Sequence, residues 1–374
     1  MSSETLRVLV MGGTQFNGLA LVHELVRCGH DVTICNRGKT EAPLPDGIHR
    51  VTADRADHDQ VRDALAGLEF DVVHDMTAYH PEDVALMVEI LDGRVDHYVF
   101  ASSTVIYSAA DLLPITEEHP VERGDTQIEY GLHKLLCEDL LWEAHAERGF
   151  PATIAAFSMV YGPRNIIPDR EQRMFARLEA GRPVLVPGDG MTLGQVGHVD
   201  DQARALVALM QEERTIGHRY NLTGRSFHTD LGYVRTTAEV LGVEPDIRFI
   251  PHAFMEEFWE GNIGIESSPA KNAASGSQPS RPNIDIRTSE EAKRRQAAIR
   301  HRFRFAGVIP RLAPNIHRWN RNVVFSIDAL RRDTGWEPEH DLASMVAHTH
   351  AWHLTTGGRD FDWSYEDALL AEIR

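Results

Sequence analysis

The chain has 374 residues, 42% of them hydrophobic and 25% charged, enough to build one large domain or two closely linked ones around an ample core. Its net charge of −18 argues against a general nucleic-acid or anionic-membrane binder. Three cysteines without CxxC spacing, no charged segment leading into an apolar leader, and no long apolar run are what a cytoplasmic protein without a membrane span would show.

The predicted elements alternate. "LRVLVMGG" reads as a buried strand ending in glycine. Leu19, Val22 and Leu25 then recur at helical spacing up to Gly29. "DVTICNRG" and "GIHRVTADRAD" contain strands two and three, and "DHDQVRDALAG" a helix. "FDVVHDM" is strand four, "PEDVALMVEILDG" a helix and "DHYVFASS" strand five. A long helix over "IEYGLHKLLCEDLLWEAHAERG" leads to strand six, "PATIAAF". This βαβ alternation predicts an α/β fold with a doubly wound parallel sheet. The second half is less regular. "RPVLVPGDG", "HRYNLTG" and "DIRFIP" read as strands, and "DDQARALVALMQEE", "TDLGYVRTTAEVLG" and "HAFMEEFWE" as helices. The expected division is a dinucleotide-binding domain over 1–160, with later returns near 195–225, and a smaller substrate-binding lobe over 161–374. Within that lobe, about 262–321 reads as a mobile basic insertion, poor in apolar residues at its start and rich in arginine later.

Three stretches carry chemistry. In "MGGTQFNG", Gly12, Gly13 and Gly18 stand between strand and helix, where a backbone can pass close to a pyrophosphate. The turn from Gly12 through Gln15 and Phe16 to Gly18 is therefore assigned to a dinucleotide, although Gln15 stands where a fingerprint glycine would. Strand two ends "CNRGK". Asn36 replaces the carboxylate that would bind both ribose hydroxyls of NAD, and Arg37 and Lys39 could meet a 2′-phosphate. The reading is NADP or NAD, leaning to NADP. Asp54, after strand three, is a candidate for the adenine amino group. The third stretch is Ser103 at the end of strand five with Tyr130 and Lys134 in "YGLHK", one helical turn apart on the same face. A phenol is a poor base near neutrality, and a neighbouring ammonium stabilises its anion. Tyr130 could then exchange a proton with a substrate hydroxyl that Ser103 also holds. Thr104, Tyr79, Tyr161, Arg164 and Asn165 are candidates for substrate contact, with His80 beside Tyr79. No metal site is expected: at most two of His348, His350 and His353 share a helix face, with no acidic partner nearby in sequence.

Together "GGTQFNG", "ASSTVIYS", "YGLHK", "VYGPRN", "VGHVDDQARAL", "YNLTG" and "LRRDTGWEP" resemble the extended short-chain dehydrogenase/reductases, the NAD-dependent epimerase/dehydratase family. The "GGTxFxG" turn with "NRGK" further resembles a divergent branch that includes chloroplast stem-loop RNA-binding proteins. The resemblance implies a Rossmann-type fold, catalysis by Ser103, Tyr130 and Lys134, and substrates that are often nucleotide-linked sugars. It also implies a homodimer paired through the helix carrying Tyr130. Ser103 is followed by Thr104 and Val105 where the sugar-nucleotide dehydratases carry an acidic pair. A dehydratase would therefore need an acid from elsewhere, such as Glu117 or Glu118. A catalytically silent nucleotide- or RNA-binding protein on the same fold is the further alternative. The expected activity is that of an NAD(P)-dependent epimerase or oxidoreductase on a nucleotide-linked or phosphorylated sugar.

Overall fold

A computed structural model describes residues 5–167, 170–260, 262–263, 318–358 and 360–373. The arginine-rich part of the expected insertion, 264–317, lies outside the described residues. In chain order the first half runs β1 (Arg7–Met11), α1 (Phe16–Arg27), β2 (Asp31–Asn36), β3 (His49–Thr52), α2 (His58–Leu65), β4 (Val72–Asp75), α3 (Pro81–Leu91), β5 (His97–Ser103), α4 (Glu129–Arg148) and β6 (Ala152–Phe157). The second half continues β7 (Met159–Tyr161), α5 (Glu171–Glu179), β8 (Val184–Pro187), β9 (Leu193–His198), α6 (Val199–Met210), β10 (Arg219–Leu222), β11 (Phe227–Thr229), α7 (Asp230–Leu241), β12 (Ile247–Ile250) and α8 (His252–Trp259). Then come α9 (Asp328–Thr334), α10 (Leu342–Thr355) and α11 (Ser364–Glu372).

Seven strands form one parallel sheet in the order β10-β6-β5-β4-β1-β2-β3. This is a Rossmann-type α/β fold, and its strand order reverses between β1 and β4, where such sheets open a crevice at their carboxyl ends. The apolar runs explain the layering. Along β1, Val8 and Val10 face one side, packed with Leu21, Val22 and Leu25 of α1 and Leu206 and Leu209 of α6. Leu9 and Met11 face the other, packed with Val84 and Met87 of α3 and Cys137 and Leu141 of α4. A strand covered on both faces must be apolar at every position, which is why β1 reads as a continuous run rather than an alternation.

The rest forms a second lobe. β7, β9 and β11 make a three-stranded sheet, and β8 pairs with β12. Tyr161, Phe175, Tyr233 and Met345 lie in the core that these strands share with α5, α7 and α10. Arg173 and Arg177 of α5 are buried and both grip Glu366 of α11 (2.9 and 2.8 Å; 2.7 Å), an ion cluster that anchors the last helix. The chain also returns to the large sheet after the lobe: Ile327, Leu330 and Trp336, in and around α9, pack into the α1–α6 side of the core. The Trp336 indole donates to the Asp201 carbonyl at 3.1 Å. No described helix is long and apolar enough to cross a membrane.

Candidate active site

The turn after β1 is built by backbone demands. Gly12 and Gly13 hold φ of +111° and +89°, which L side chains rarely adopt. A Cβ at Gly13 would also lie 2.8 Å from the Ile34 side chain, and one at Gly18 would lie 2.8 Å from the Gly13 nitrogen. These glycines let α1 start directly against the strand. Gln15 is exposed and is the helix N-cap residue, but its side chain makes no capping bond, and the first turn of α1 contains no acid. Phe16, the first helical residue, sits at φ +37°, and the Asn17 Oδ1 is buried without a hydrogen-bond partner. An uncapped helix start whose first turn carries no carboxylate suits a phosphate-bearing ligand. The residues present therefore fit the dinucleotide that the sequence implies.

Asn36 is committed to the turn. Its Nδ2 donates to the Gly12 carbonyl (3.2 Å), and its Oδ1 accepts from Gly38 N–H (2.8 Å). Arg37 and Lys39 follow as exposed side chains. Asp54 closes its own turn, accepting from Ala56 N–H at 3.1 Å.

Ser103 ends β5, and a 3-10 turn over Thr104–Ile106 follows, with Thr104 buried. Tyr130 lies in the first turn of α4 and Lys134 one turn later. Gln127 fixes where that helix starts. Its Nε2 donates to the carbonyls of Val105 (3.0 Å) and Glu122 (3.1 Å), and its Oε1 accepts from Ile128 N–H (2.9 Å). The entry of α4 is thereby tied to the turn after Ser103. Lys134 is buried and donates to the carbonyls of Ala78 (2.8 Å) and Ala101 (2.6 Å). Its ammonium lies 4.9 Å from the Tyr79 ring centroid and 5.8 Å from that of Tyr130. Burial lowers its pKa to about 8. Burial, with Tyr79 nearby, pushes the Tyr130 phenol above its ordinary value, while contact with Ser103 and the charge of Arg170 pull it down. Without cofactor Tyr130 is therefore a protonated phenol, and the stabilising effect expected of Lys134 alone does not offset its burial.

The other candidates divide. Tyr79 stacks obliquely on Tyr130, with ring centroids 6.2 Å apart, and His80 pairs with His133 at 4.8 Å. Arg164 is exposed in a left-handed conformation (φ +63°). Two expectations need correction. Tyr161 is fully buried in the lobe core rather than at a cleft mouth. Asn165 is also buried: its Nδ2 donates to Glu171 (2.8 Å) and its Oδ1 accepts from Ile167 N–H (2.9 Å), so it holds the β7–α5 connection.

Sequence reasoning missed three features. Asp75, at the end of β4, accepts from Arg55 (2.8 and 2.6 Å), the Tyr98 hydroxyl (2.6 Å) and the amides of Thr77 (3.2 Å) and Ala78 (3.0 Å). That network positions the Ala78 carbonyl which Lys134 uses. Gln127 is the second feature. Arg170 is the third: its guanidinium touches the Val160 carbonyl at 3.4 Å and acts electrostatically on Tyr130. "ADRAD" and "PDREQ" look like solvated charge, so only a view of the strand ends could have singled these arginines out.

Fold and site define a dinucleotide-binding α/β protein with a Ser-Tyr-Lys constellation at the carboxyl ends of its strands. The profile of the NAD dependent epimerase/dehydratase family matches residues 8–223, and the chain belongs to that family. It is 33% identical over 260 residues to the chloroplast stem-loop binding protein of 41 kDa b of Arabidopsis thaliana, covering 66% of each chain. It is 29% identical over 228 residues to the 2'-dehydrokanamycin reductase of Streptomyces kanamyceticus, covering 59% of this chain and 63% of that one. The matches thus span just under two thirds of these relatives. The solved epimerase Mth375 of Methanothermobacter thermautotrophicus superposes with a TM-score of 0.66 at 20% identity, covering 95% of this chain and 94% of the other.

Proposed function

We propose that the protein is an NAD(P)-dependent epimerase or oxidoreductase acting at a hydroxyl- or carbonyl-bearing carbon of a nucleotide-linked or phosphorylated sugar. The observation that carries this reading is the convergence of Ser103, Tyr130 and Lys134 in one family-typical order beside an uncapped glycine turn. The turn from Gly12 to Gly18 would hold the pyrophosphate, and Lys134 keeps a third N–H to offer the ribose. A bound nicotinamide dinucleotide supplies the acceptor or donor of a hydride. Ser103 orients the substrate oxygen by hydrogen bonding. Once deprotonated, Tyr130 takes the hydroxyl proton in the oxidising direction, and as the phenol it returns that proton in the reducing one. The Lys134 ammonium, in a desolvated setting, lowers the cost of the phenolate that begins the oxidising step and ends the reducing one. Arg170, with its charge close to Tyr130, is suited to an anionic substrate group. The reductase relative supports the reducing direction.

The dehydratase alternative has less support. Glu117 spends a carboxylate oxygen on Asn221 N–H (2.9 Å), and Glu118 faces solvent. The stem-loop-binding relative keeps RNA binding as a second reading. The −18 net charge and the retained Tyr130 and Lys134 weigh against it.

We further propose NADP over NAD, because no carboxylate stands at the end of β2 and two cations follow it. Arg37→Ala combined with Lys39→Ala should weaken NADP binding about 10-fold or more while leaving NAD within about 3-fold, as loss of charge-assisted phosphate contacts would. Calorimetric titration of both cofactors checks this. An unchanged NADP affinity would remove these residues from the 2′-phosphate.

A further inference from the structure

The "HTHAWH" stretch in α10 looked unsuited to metal because sequence neighbours supplied no acid and no third histidine. Folding supplies both. His198, at the end of β9, and His348 are 150 residues apart in sequence, yet His198 Nε2 and His348 Nδ1 lie 3.1 Å apart. His340, just before α10, stacks on His198 with centroids 3.8 Å apart. One ring nitrogen from each of the three lies within 4.8 Å of the others.

One carboxylate stands behind His340 and a second lies beside the His198–His348 pair. His340 Nδ1 is 3.0 Å from Asp201 Oδ1, and Asp201 Oδ2 also accepts from the His340 amide at 3.1 Å. Asp200 Oδ2 lies 3.8 Å from Nδ1 of both His198 and His348. A carboxylate on one imidazole nitrogen fixes the tautomer and frees the other nitrogen for a metal, the usual outer arrangement of histidine ligands. Two nitrogens bound at ~2.0–2.1 Å around a tetrahedral ion sit about 3.3 Å apart, close to the observed His198–His348 separation. His198 is buried, His340 half-buried and His348 open to solvent, so an ion has a way in.

We propose that His198, His340 and His348 bind one divalent transition-metal ion of the zinc class, with the Asp200 carboxylate beside it as a fourth ligand. Imidazole donors suit zinc, nickel and cobalt rather than magnesium or calcium. Binding requires His340 to tilt off the face of His198. It also requires His198 Nδ1, which now accepts from Asp200 N–H at 3.2 Å, to carry its proton toward the Asp200 carboxylate. The ion would clamp the β9–α6 junction to α10. No residue of the Ser103 site is involved, so the clamp is structural.

The test uses the full chain stripped with a chelator and titrated with Zn2+ and Co2+. Calorimetry should show one equivalent bound and a raised Tm, and the Co2+ absorption should have the intensity of a tetrahedral site. His348→Ala, at the exposed ligand, should weaken binding more than about 10-fold. His350→Ala should not, because His350 lies on another face of α10, against Glu179 (2.7 Å). If neither ion binds the wild type, or if His348→Ala binds as tightly, the proposal is overturned. If His348→Ala fails to fold, the wild-type Co2+ spectrum decides: octahedral, weak absorption would also overturn it.

Discussion

Replacing Tyr130 with phenylalanine should lower turnover by about 10²–10⁴-fold, the contribution of a positioned proton-transfer group, while cofactor binding stays within about 3-fold. The ring keeps its place against Tyr79 and only the hydroxyl is lost. The two readouts must be taken together, by steady-state kinetics and by cofactor titration. A variant that loses both has lost its fold or its cleft, and a variant that keeps full turnover removes Tyr130 from the chemistry. The wild-type rate carries a related pH dependence. Lys134, with its pKa lowered to about 8 by burial, is an ammonium below that pH and neutral above it. As pH rises through about 8 the phenolate loses its cation, and the Tyr130-dependent rate should fall.

Asp75→Ala should be the most damaging of the single substitutions away from the reacting atoms. It removes the carboxylate that takes two bonds from the Arg55 guanidinium, whose side chain is 10% exposed, and leaves the Tyr98 hydroxyl and two amides without this acceptor. Breaking a buried pair from one side costs about 3–5 kcal/mol. Against a total stability of about 5–15 kcal/mol this leaves little margin. Urea denaturation should show the loss as a lower midpoint. Asp75→Asn, which keeps the shape and one acceptor, should lose less. Because Asp75 also holds the turn whose Ala78 carbonyl receives Lys134, the folded fraction of Asp75→Asn should turn over more slowly. A wild-type midpoint for Asp75→Ala would show that Asp83, 3.9 Å from Arg55, suffices as its partner.

The large sheet was legible because its strands are continuous apolar runs separated by amphipathic helices, and both patterns are local. The order of the glycine turn, Ser103, Tyr130 and Lys134 was legible for the same reason: each sits at a boundary that the pattern marks. The second lobe was legible only in part: β8, β12, α7 and α8 were, but β9 and α10 were not. β9, "LGQVGH", has glycines where strand side chains are expected, because its backbone packs against Thr223: a Cβ at Gly197 would lie 3.0 Å from the Thr223 Cα. The buried stripe of α10 runs Leu342, Met345, Val346, Thr349 and His353, and its polar members hide the helical period. Tyr161 and Asn165 were misplaced because a residue just after a sheet strand normally faces the cleft. Here β7 joins the lobe's own sheet instead and turns Tyr161 inward, while Asn165, in the connection after it, is taken up by Glu171 and Ile167. Arg55, Asp75, Gln127 and Arg170 have roles set by partners distant in sequence, which no local pattern records.

The central claim is redox chemistry by the Ser103–Tyr130–Lys134 site on a nicotinamide cofactor. The most direct test follows nicotinamide absorbance when the protein, loaded with NADP or NAD, is mixed with a panel of nucleoside-diphosphate sugars, with Tyr130→Phe run in parallel. A transient or net change in nicotinamide redox state is expected with at least one sugar in the wild type and with none in the variant. Flat traces with sugars that calorimetry shows to be bound beside the cofactor, or identical traces from Tyr130→Phe, would contradict it.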